Sequence, residues 1–429
     1  MRIAVVGSGI SGLSAALLLS RKHEVVLFEG NDYLGGHTDT HRVEVDGRML
    51  EVDTGFIVHN PQHYPLLTRL FEELGVATQA TTMGFSVQDA GSGLEYNATS
   101  LDALFCQRRN LASPRFLGML RDLVRFYRNA PELLAGDGPG PALGDYLQAK
   151  GYGDAFRDQH LVPMASALWS SPAVDILRFP ARYLVQFMAN HHMLQLAGRP
   201  EWRVVRGGSR RYVEAMTARW DVQVRLGSPV RAIARDADGA AVRCDAGSER
   251  FDQVVLACHS DQALALLGAA ATPAERNILG AIRYQPNRAV LHTDARLLPR
   301  DPRVWSAWNY MAGPGKLDQR PVSVSYLLNH LQPLPVDSPV IVTLNPHIEP
   351  DPAKVLGDYD YDHPLFDQAA IGAQAQLGAI QGVEHLWFCG AWAGYGFHED
   401  GLASALAVAN RLGCHAPWQD ADAAILSAA

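Results

Sequence analysis

Lysine is nearly missing from this 429-residue chain: of 37 basic residues only Lys22, Lys150, Lys316 and Lys354 are lysines. Any mechanism that needs a buried lysine therefore has few candidates. Cysteine is scarce too, with Cys106, Cys244, Cys258, Cys389 and Cys414 odd in number and far apart. They make no CxxC pair and no Cys/His spacing that suits zinc, which excludes a disulfide-stapled scaffold and points to a reduced, cytoplasmic setting. No stretch approaches the ~18 consecutive apolar residues of a membrane span. The opening MRIAVVGSGISGL lacks both a long apolar run and a small-residue cleavage site, so no signal segment is expected there. Positive charge is in deficit as well: 37 basic against 45 acidic residues leave a formal net charge of -8, the wrong sign for a nucleic-acid backbone as main partner. The expectation is a cytoplasmic protein, at most peripheral to the inner face of the membrane.

What the chain has in quantity is apolar material, 48% of its residues. Its length exceeds what one core usually organises, so two lobes are expected. Residues 2–6 (RIAVV) and 24–28 (EVVLF) read as short strands flanking a helical stretch from Ile10 to Arg21, a β-α-β opening. Leu66–Leu74 reads as a helix and Thr81–Val87 as a strand. A mostly helical stretch follows from about Leu101 to His192, broken by the Gly/Pro cluster at 136–141. Residues 203–258 return to β/α character, 285–345 alternate as a second, antiparallel sheet would, and the end is again strand, glycine turn and helix. The predicted fold is α/β: a discontinuous Rossmann-like nucleotide domain of residues 1–80, 200–268 and 385–429. An inserted α+β substrate domain of residues 81–199 and 269–384 carries a mainly antiparallel sheet and a helical part.

Gly7-Ser8-Gly9-Ile10-Ser11-Gly12 is GxGxxG placed after a strand and opening a helix, the context in which the motif is informative. Gly7 permits the tight turn, Gly9 lets backbone approach a pyrophosphate, and Gly12 lets helix and strand pack closely. Glu29 ends the second strand at about the spacing expected of a carboxylate that accepts hydrogen bonds from a ribose. Dinucleotide binding follows, though NAD and FAD share the signature.

Three further groups separate them: Gly35-Gly36-His37; Cys389-Gly390-Ala391-Trp392; and Glu399-Asp400-Gly401-Leu402. With the fingerprint and a middle nucleotide-domain segment, this arrangement resembles the flavin amine oxidase, protoporphyrinogen oxidase and phytoene desaturase superfamily. YLGGH at 33–37, DTGFIVHN at 53–60 and HHMLQLAGRPEWRVVRGGSRRYV at 191–213 resemble more closely the predicted NAD/FAD-binding proteins found beside, or fused to, cyclopropane-fatty-acid synthases. The resemblance runs through nearly the whole chain. It implies FAD, an acyl-lipid substrate, and a cyclopropane-fatty-acid-synthase-like methyltransferase as partner. It places the second glycine pair beside the pyrophosphate and the 390–402 segment at the flavin end, with Val230 along the cofactor; Asp53, Thr54 and Gly55, which follow the alternating MLEV, are expected along the cofactor or, as the alternative, in a polar loop at a strand end. His37 stands where many members carry arginine, and Ala391 where an aspartate is usual. No SGGC-like element precedes Trp387, so FAD is expected to be non-covalent.

For chemistry, the resemblance puts the lysine that amine oxidases carry near flavin N5 at Arg288, which counts against amine oxidation. At least one of Tyr395 and His398 is expected to face the flavin, His398 as a candidate acid/base, the alternative being aromatic packing of a strand–helix corner. Adjacent His191 and His192 project in different directions, so no metal site is expected, and no GxSxG elbow supports hydrolysis. Residues 115–129 (RFLGMLRDLVRFYRN) read as a lobe helix whose arginine stems cover the core, the alternative being a basic amphipathic helix that rests on an anionic membrane. The leading expectation is an FAD-dependent desaturase or oxidase that removes hydride from an apolar, fatty-acyl or phospholipid-bound substrate. The alternatives are an amine or amino-acid oxidase, and a non-catalytic flavin-binding partner of a lipid methyltransferase.

Overall fold

The computed structural model describes residues 1–136, 138, 140–195, 198, 200–313 and 322–419. Lys316, two residues of the Gly/Pro cluster, three of the 191–213 block and the last ten residues lie outside the described residues.

The apolar run Arg2–Val6 lies at the centre of a five-stranded parallel sheet, in the order Val222–Arg225, Glu24–Phe28, Arg2–Val6, Gln253–Leu256, Leu386–Phe388. Its side chains alternate between two cores because a strand sends successive residues to opposite faces. Ile3 and Val5 pack with helices Ile10–Leu19, Pro65–Leu74, Arg210–Thr217 and His398–Arg411. Ala4 and Val6 pack on the other face with the hairpin sheet of residues 230–251 and helices Ser260–Leu267 and Pro273–Leu279. A sheet covered on both sides explains why its strands read as nearly unbroken apolar runs. The strands come from three separated stretches of chain.

The second sheet has seven strands in the order Val355–Leu365, Arg283–His292, Ile341–Leu344, Val322–Leu327, Trp308–Ala312, Phe85–Asp89, Leu94–Asn97. All neighbours are antiparallel except Trp308–Ala312 with Phe85–Asp89. A helical layer built by Pro114–Asn129, Val162–Trp169 and Ala181–Asn190 shares its core through Phe116, Phe126, Trp169 and Phe187. The strand expected over Thr81–Val87 is two strands in two sheets: Thr78–Thr81 pairs with Trp202–Val205, and Phe85–Asp89 with Trp308–Ala312. The break falls at Gly84, where a side chain would stand 2.5 Å from Ser306 Oγ, so only glycine lets the chain cross between sheets there.

A buried carboxylate at the end of strand Arg48–Asp53 ties together three separate elements. Asp53, expected along the cofactor, accepts hydrogen bonds from the Thr40 hydroxyl at 2.6 Å, the Ser209 N–H at 2.8 Å and the Gln332 amide at 3.1 Å. Its side chain is engaged by protein at the start of helix Arg210–Thr217, which corrects its assignment as a cofactor contact: a helix start supplies N–H donors to a carboxylate as readily as to a phosphate.

The interior also holds neutral histidines. Burial lowers His59 and His292 to about 4 and His398 to about 3. His292 accepts the Asp294 N–H on Nδ1 and lies 2.8 Å from Thr343 Oγ1 through Nε2, a pattern that fits the neutral ring. The unfolded chain binds protons on these groups below its usual pKa of about 6.5 and the folded chain does not, so stability is full above that value and is lost as pH falls toward 4. Asp53 and Asp400, each raised by burial to about 6, act in the opposite sense between 3.8 and 6, but they are two groups against these three histidines. The urea midpoint is expected to be lower at about pH 5 than at about pH 7.5; a midpoint that rises on acidification contradicts this balance.

Candidate active site

The fingerprint forms a cradle at the carboxyl ends of the parallel strands, where open α/β sheets place their ligands. The first strand ends at Gly7, whose φ of +100° is left-handed. A side chain on Gly12 would overlap the Gly7 carbonyl oxygen, whereas the position a Gly9 side chain would take has no heavy atom within 4 Å. The loop is thus packed on one side and open on the other. Gly35 and Gly36 also have positive φ, and a Cβ on Gly36 would stand 3.0 Å from Gly9 Cα, so the two glycine turns touch. From the far end of the chain, helix His398–Arg411 reaches the same point. The Ser11 hydroxyl donates to the Gly401 carbonyl at 2.9 Å, and a Cβ on Gly401 would stand 2.7 Å from Ile10 Cγ2. Ile10, Ser11, Gly401 and Leu402 therefore bring two helix starts together, with Ala391 N 3.6 Å from that Cβ position. Two helix N-termini beside an open glycine loop suit a diphosphate.

Glu29 sits beside the cradle, accepting the Ser8 and Asn31 N–H groups, each at 2.9 Å. Val230 follows the loop tied to it, where Ser228 N–H donates to the Glu29 carbonyl and Gly227 N–H to that of Asn31, both at 2.8 Å. Gly55 permits a close crossing, since a side chain there would overlap the His37 carbonyl, and the Thr54 hydroxyl lies 2.6 Å from that of Tyr361. Gly390 leaves room for Trp392, whose indole N–H donates to the Cys258 carbonyl at 3.0 Å. That buried indole belongs to the core, so the Trp392 side chain is turned away from the flavin end where the 390–402 segment is expected. Cys389 is fully buried, and burial pushes its thiol up.

His37 follows the second glycine pair, and its buried Nε2 has no hydrogen-bond partner. Its ring lies 5.2 Å from Tyr361, 5.5 Å from His363 and 6.0 Å from His259. Burial holds its pKa well below 6.5, and the His363, His259 and His398 rings act in the same sense. The sequence singled out His37 but gave no sign of His259 and His363, which lie 222 and 326 positions away and reach it only through the folds of two sheets.

At the start of helix His398–Arg411 lies a pocket of about 400 Å³ lined by His63, Tyr64, Asn190, His191, Tyr395 and Phe397, with Glu399 and Asp400 among its walls. Tyr395 packs against Tyr183 at 4.6 Å and Phe187 at 5.6 Å, and the Trp169 indole donates to its carbonyl at 3.2 Å. Glu399 accepts the Leu66 and Leu67 N–H groups at 2.8 and 3.0 Å, closing the start of helix Pro65–Leu74. Asp400 accepts the Phe397 N–H at 2.9 Å, and burial raises it to about 6. His63 has both ring nitrogens buried and without partners, 4.7 Å from the His191 ring and 5.2 Å from that of His192. Burial lowers His63 to about 4.

Two expected catalytic residues are placed elsewhere. Arg288 is exposed on its strand, where it donates to Asp358 at 2.7 Å and Glu349 at 2.9 Å. Strand alternation turns Asn287 inward instead, donating to the Gln285 carbonyl and lying 3.1 Å from His363 Nδ1. His398 stacks on Phe56 at 3.8 Å, with Nε2 3.0 Å from Thr38 Oγ1 and 3.3 Å from Tyr212 Oη. A ring held to about 3 in such packing stays neutral near pH 7, so it positions the helix start rather than carrying a proton. Among the described residues, no group of three or more His, Cys, Asp or Glu is arranged to hold a metal ion.

Residues 10–302 match the family model described as flavin containing amine oxidoreductase. A putative flavin-containing monoamine oxidase of Mycobacterium tuberculosis is 28% identical over 266 residues, 59% of this chain and 56% of that protein, so the match spans about half of the curated relative. Among solved structures, a CLA-producing fatty acid isomerase from P. acnes superposes with a TM-score of 0.66 at 15% identity, covering 96% of this chain and 98% of the other. Putrescine oxidase bound to putrescine superposes with a TM-score of 0.67 at 16% identity, covering 96% and 99%. These two share the fold.

The cradle generates two expectations. Gly12→Ala, whose methyl would overlap the Gly7 carbonyl, is expected to weaken dinucleotide binding roughly tenfold or more, measured by titrating flavin into cofactor-free protein. Unchanged affinity contradicts this placement of the phosphates. A diphosphate beside His37 favours the protonated ring, so affinity should strengthen as pH falls from neutrality, and His37→Arg should abolish that slope. The same titration at several pH values measures it, and a flat wild-type profile contradicts the assignment.

Proposed function

The chain belongs to the flavin-containing amine oxidoreductase family, and we propose that it is an FAD-dependent enzyme that removes hydride from an apolar, fatty-acyl or phospholipid-bound chain. FAD would be held without a covalent bond by the glycine turns at 7–12 and 35–36, by Glu29 at the adenosine ribose and by the 390–402 segment at the flavin end. The fit rests on the open face of Gly9, the paired helix starts and the unpartnered His37 Nε2. When bound, a flavin supplies the hydride acceptor and passes two electrons on to oxygen or another acceptor.

The observation that carries the choice of substrate is the lining of the pocket. Tyr395 and Phe397 form an aromatic wall, and its imidazoles are neutral. Glu399 and Asp400 are already engaged by backbone N–H groups, so a cationic amine finds no uncommitted carboxylate there. Aromatic walls orient an extended chain and exclude water, while the open nitrogens of His63 can accept the proton that leaves with the hydride in a desaturation. A lipid methyltransferase of the cyclopropane-fatty-acid-synthase kind fits as a partner, because it would modify the same class of chain.

The amine oxidase reading is favoured by one comparison, the 28% identity to a putative monoamine oxidase. Anaerobic mixing separates the two. Acyl lipids are expected to bleach the visible band of the oxidised flavin, and amines to leave it unchanged. Bleaching by amines alone overturns the acyl reading, and bleaching by neither favours a partner protein without turnover. Tyr395→Ala is expected to lower the bleaching rate by roughly tenfold or more while the flavin spectrum is retained; an unchanged rate removes Tyr395 from the substrate wall.

A further inference from the structure

Helix Pro114–Asn129 has two faces with different fates. Phe116, Met119 and Phe126 are buried in the core of the helical layer, as a lobe helix requires. On the opposite side Leu117, Arg121, Val124 and Arg128 follow one another at i, i+4, i+7 and i+11, a single outward stripe on a helix of 3.6 residues per turn. All four are exposed, and Leu117 and Val124 each keep 43% of their surface in solvent. Before the helix start, Leu111 is 56% exposed and Leu101 76%, and with Phe105, Arg108 and its ion-pair partner Asp102 they line a shallow hollow of about 360 Å³. Among the described residues, four of the ten exposed large hydrophobic side chains thus lie between positions 101 and 124.

Charge points the same way. Residues 101–130 carry six arginines and two aspartates in a protein whose net charge is -8. One of those aspartates, Asp122, is buried, where it accepts the Gly153 N–H and meets Arg121 and Arg125. Exposed leucine and valine alternating with arginine is the composition that settles at a lipid interface, with apolar side chains among the upper acyl carbons and guanidinium groups at the phosphates. An acidic protein partner would match the arginines but gives no reason for the alternating aliphatic residues.

We propose that the face formed by Leu101, Leu111, Leu117, Arg121, Val124 and Arg128 rests on an anionic lipid surface. The helix lies in the plane of the interface, since among the described residues no helix is long and apolar enough to cross a membrane. Attraction of arginines to anionic headgroups brings the protein to the surface, and insertion of the four aliphatic side chains holds it there. The proposal is independent of the reaction and survives or fails without it.

Cosedimentation of the full chain with vesicles of equal parts phosphatidylglycerol and phosphatidylcholine tests it. The expected result is pelleting at low salt with the mixed vesicles, at least about tenfold less with phosphatidylcholine alone, and release at about 0.5 M salt. Arg121→Gln with Arg128→Gln, and separately Leu117→Ser with Val124→Ser, are each expected to weaken binding about tenfold or more. Both pairs are exposed, so the fold should persist, which the circular dichroism spectrum checks. Leu117→Cys carrying an environment-sensitive fluorophore should shift to the blue on mixed vesicles only. Failure to pellet at low salt overturns the proposal, including the case in which an acidic protein occupies this face. Binding that survives both double substitutions, or a label that stays in water, overturns it equally.

Discussion

Everything at the cofactor cradle depends on how closely two helix starts approach each other. Helix Ile10–Leu19 begins near the N-terminus and helix His398–Arg411 near the C-terminus, yet the Ser11 hydroxyl bonds the Gly401 carbonyl. Such an approach leaves no volume for a side chain at Gly401, just as the packing of Gly12 on the Gly7 carbonyl leaves none at 12 and that of Gly36 on Gly9 little at 36. Each substitution there would push apart backbones that must converge. The convergence concentrates N–H donors and the positive ends of two helix dipoles on a small open volume above Gly9, and a diphosphate is the group that such a volume favours. The five parallel strands aim their carboxyl ends at this point, and the two cores on either face of the sheet hold them there.

The pocket follows a different logic. Its titratable groups are held away from charge: His63 is kept neutral by burial, and Glu399 and Asp400 are occupied by helix-start N–H groups. What remains facing the pocket is aromatic surface and imidazole. Such a pocket recognises shape and excludes water more than it attracts an ion, and it suits chemistry in which the cofactor carries the electrons and protein supplies orientation.

The fold was legible where local pattern and long-range order agree. GxGxxG between a strand and a helix, a carboxylate at the end of the second strand and a glycine turn at the far end led to the α/β assignment and to the residues that meet at the cradle. Sequence reasoning failed where the outcome depends on which way a side chain points. Arg288 and Asn287 are neighbours on a strand, and a shift of one residue exchanges the inward position for the outward one. His398 looked like a free acid/base beside a glycine turn, but only the packed structure places Phe56, Thr38 and Tyr212 against it. Asp53 was correctly seen at a strand end, yet its partners Thr40, Ser209 and Gln332 come from three separate elements. The His37, His259 and His363 cluster could not be read at all, because no local spacing links residues that meet only when two sheets come together.

The central claim is that the convergence of glycine turns and helix starts holds FAD without a covalent bond. The most direct measurement is to denature the purified protein, separate chain from small molecules and identify the released nucleotide by mass spectrometry. Release of intact FAD at about one per chain is the predicted result. A different nucleotide, or a flavin that stays attached to the polypeptide, would contradict it.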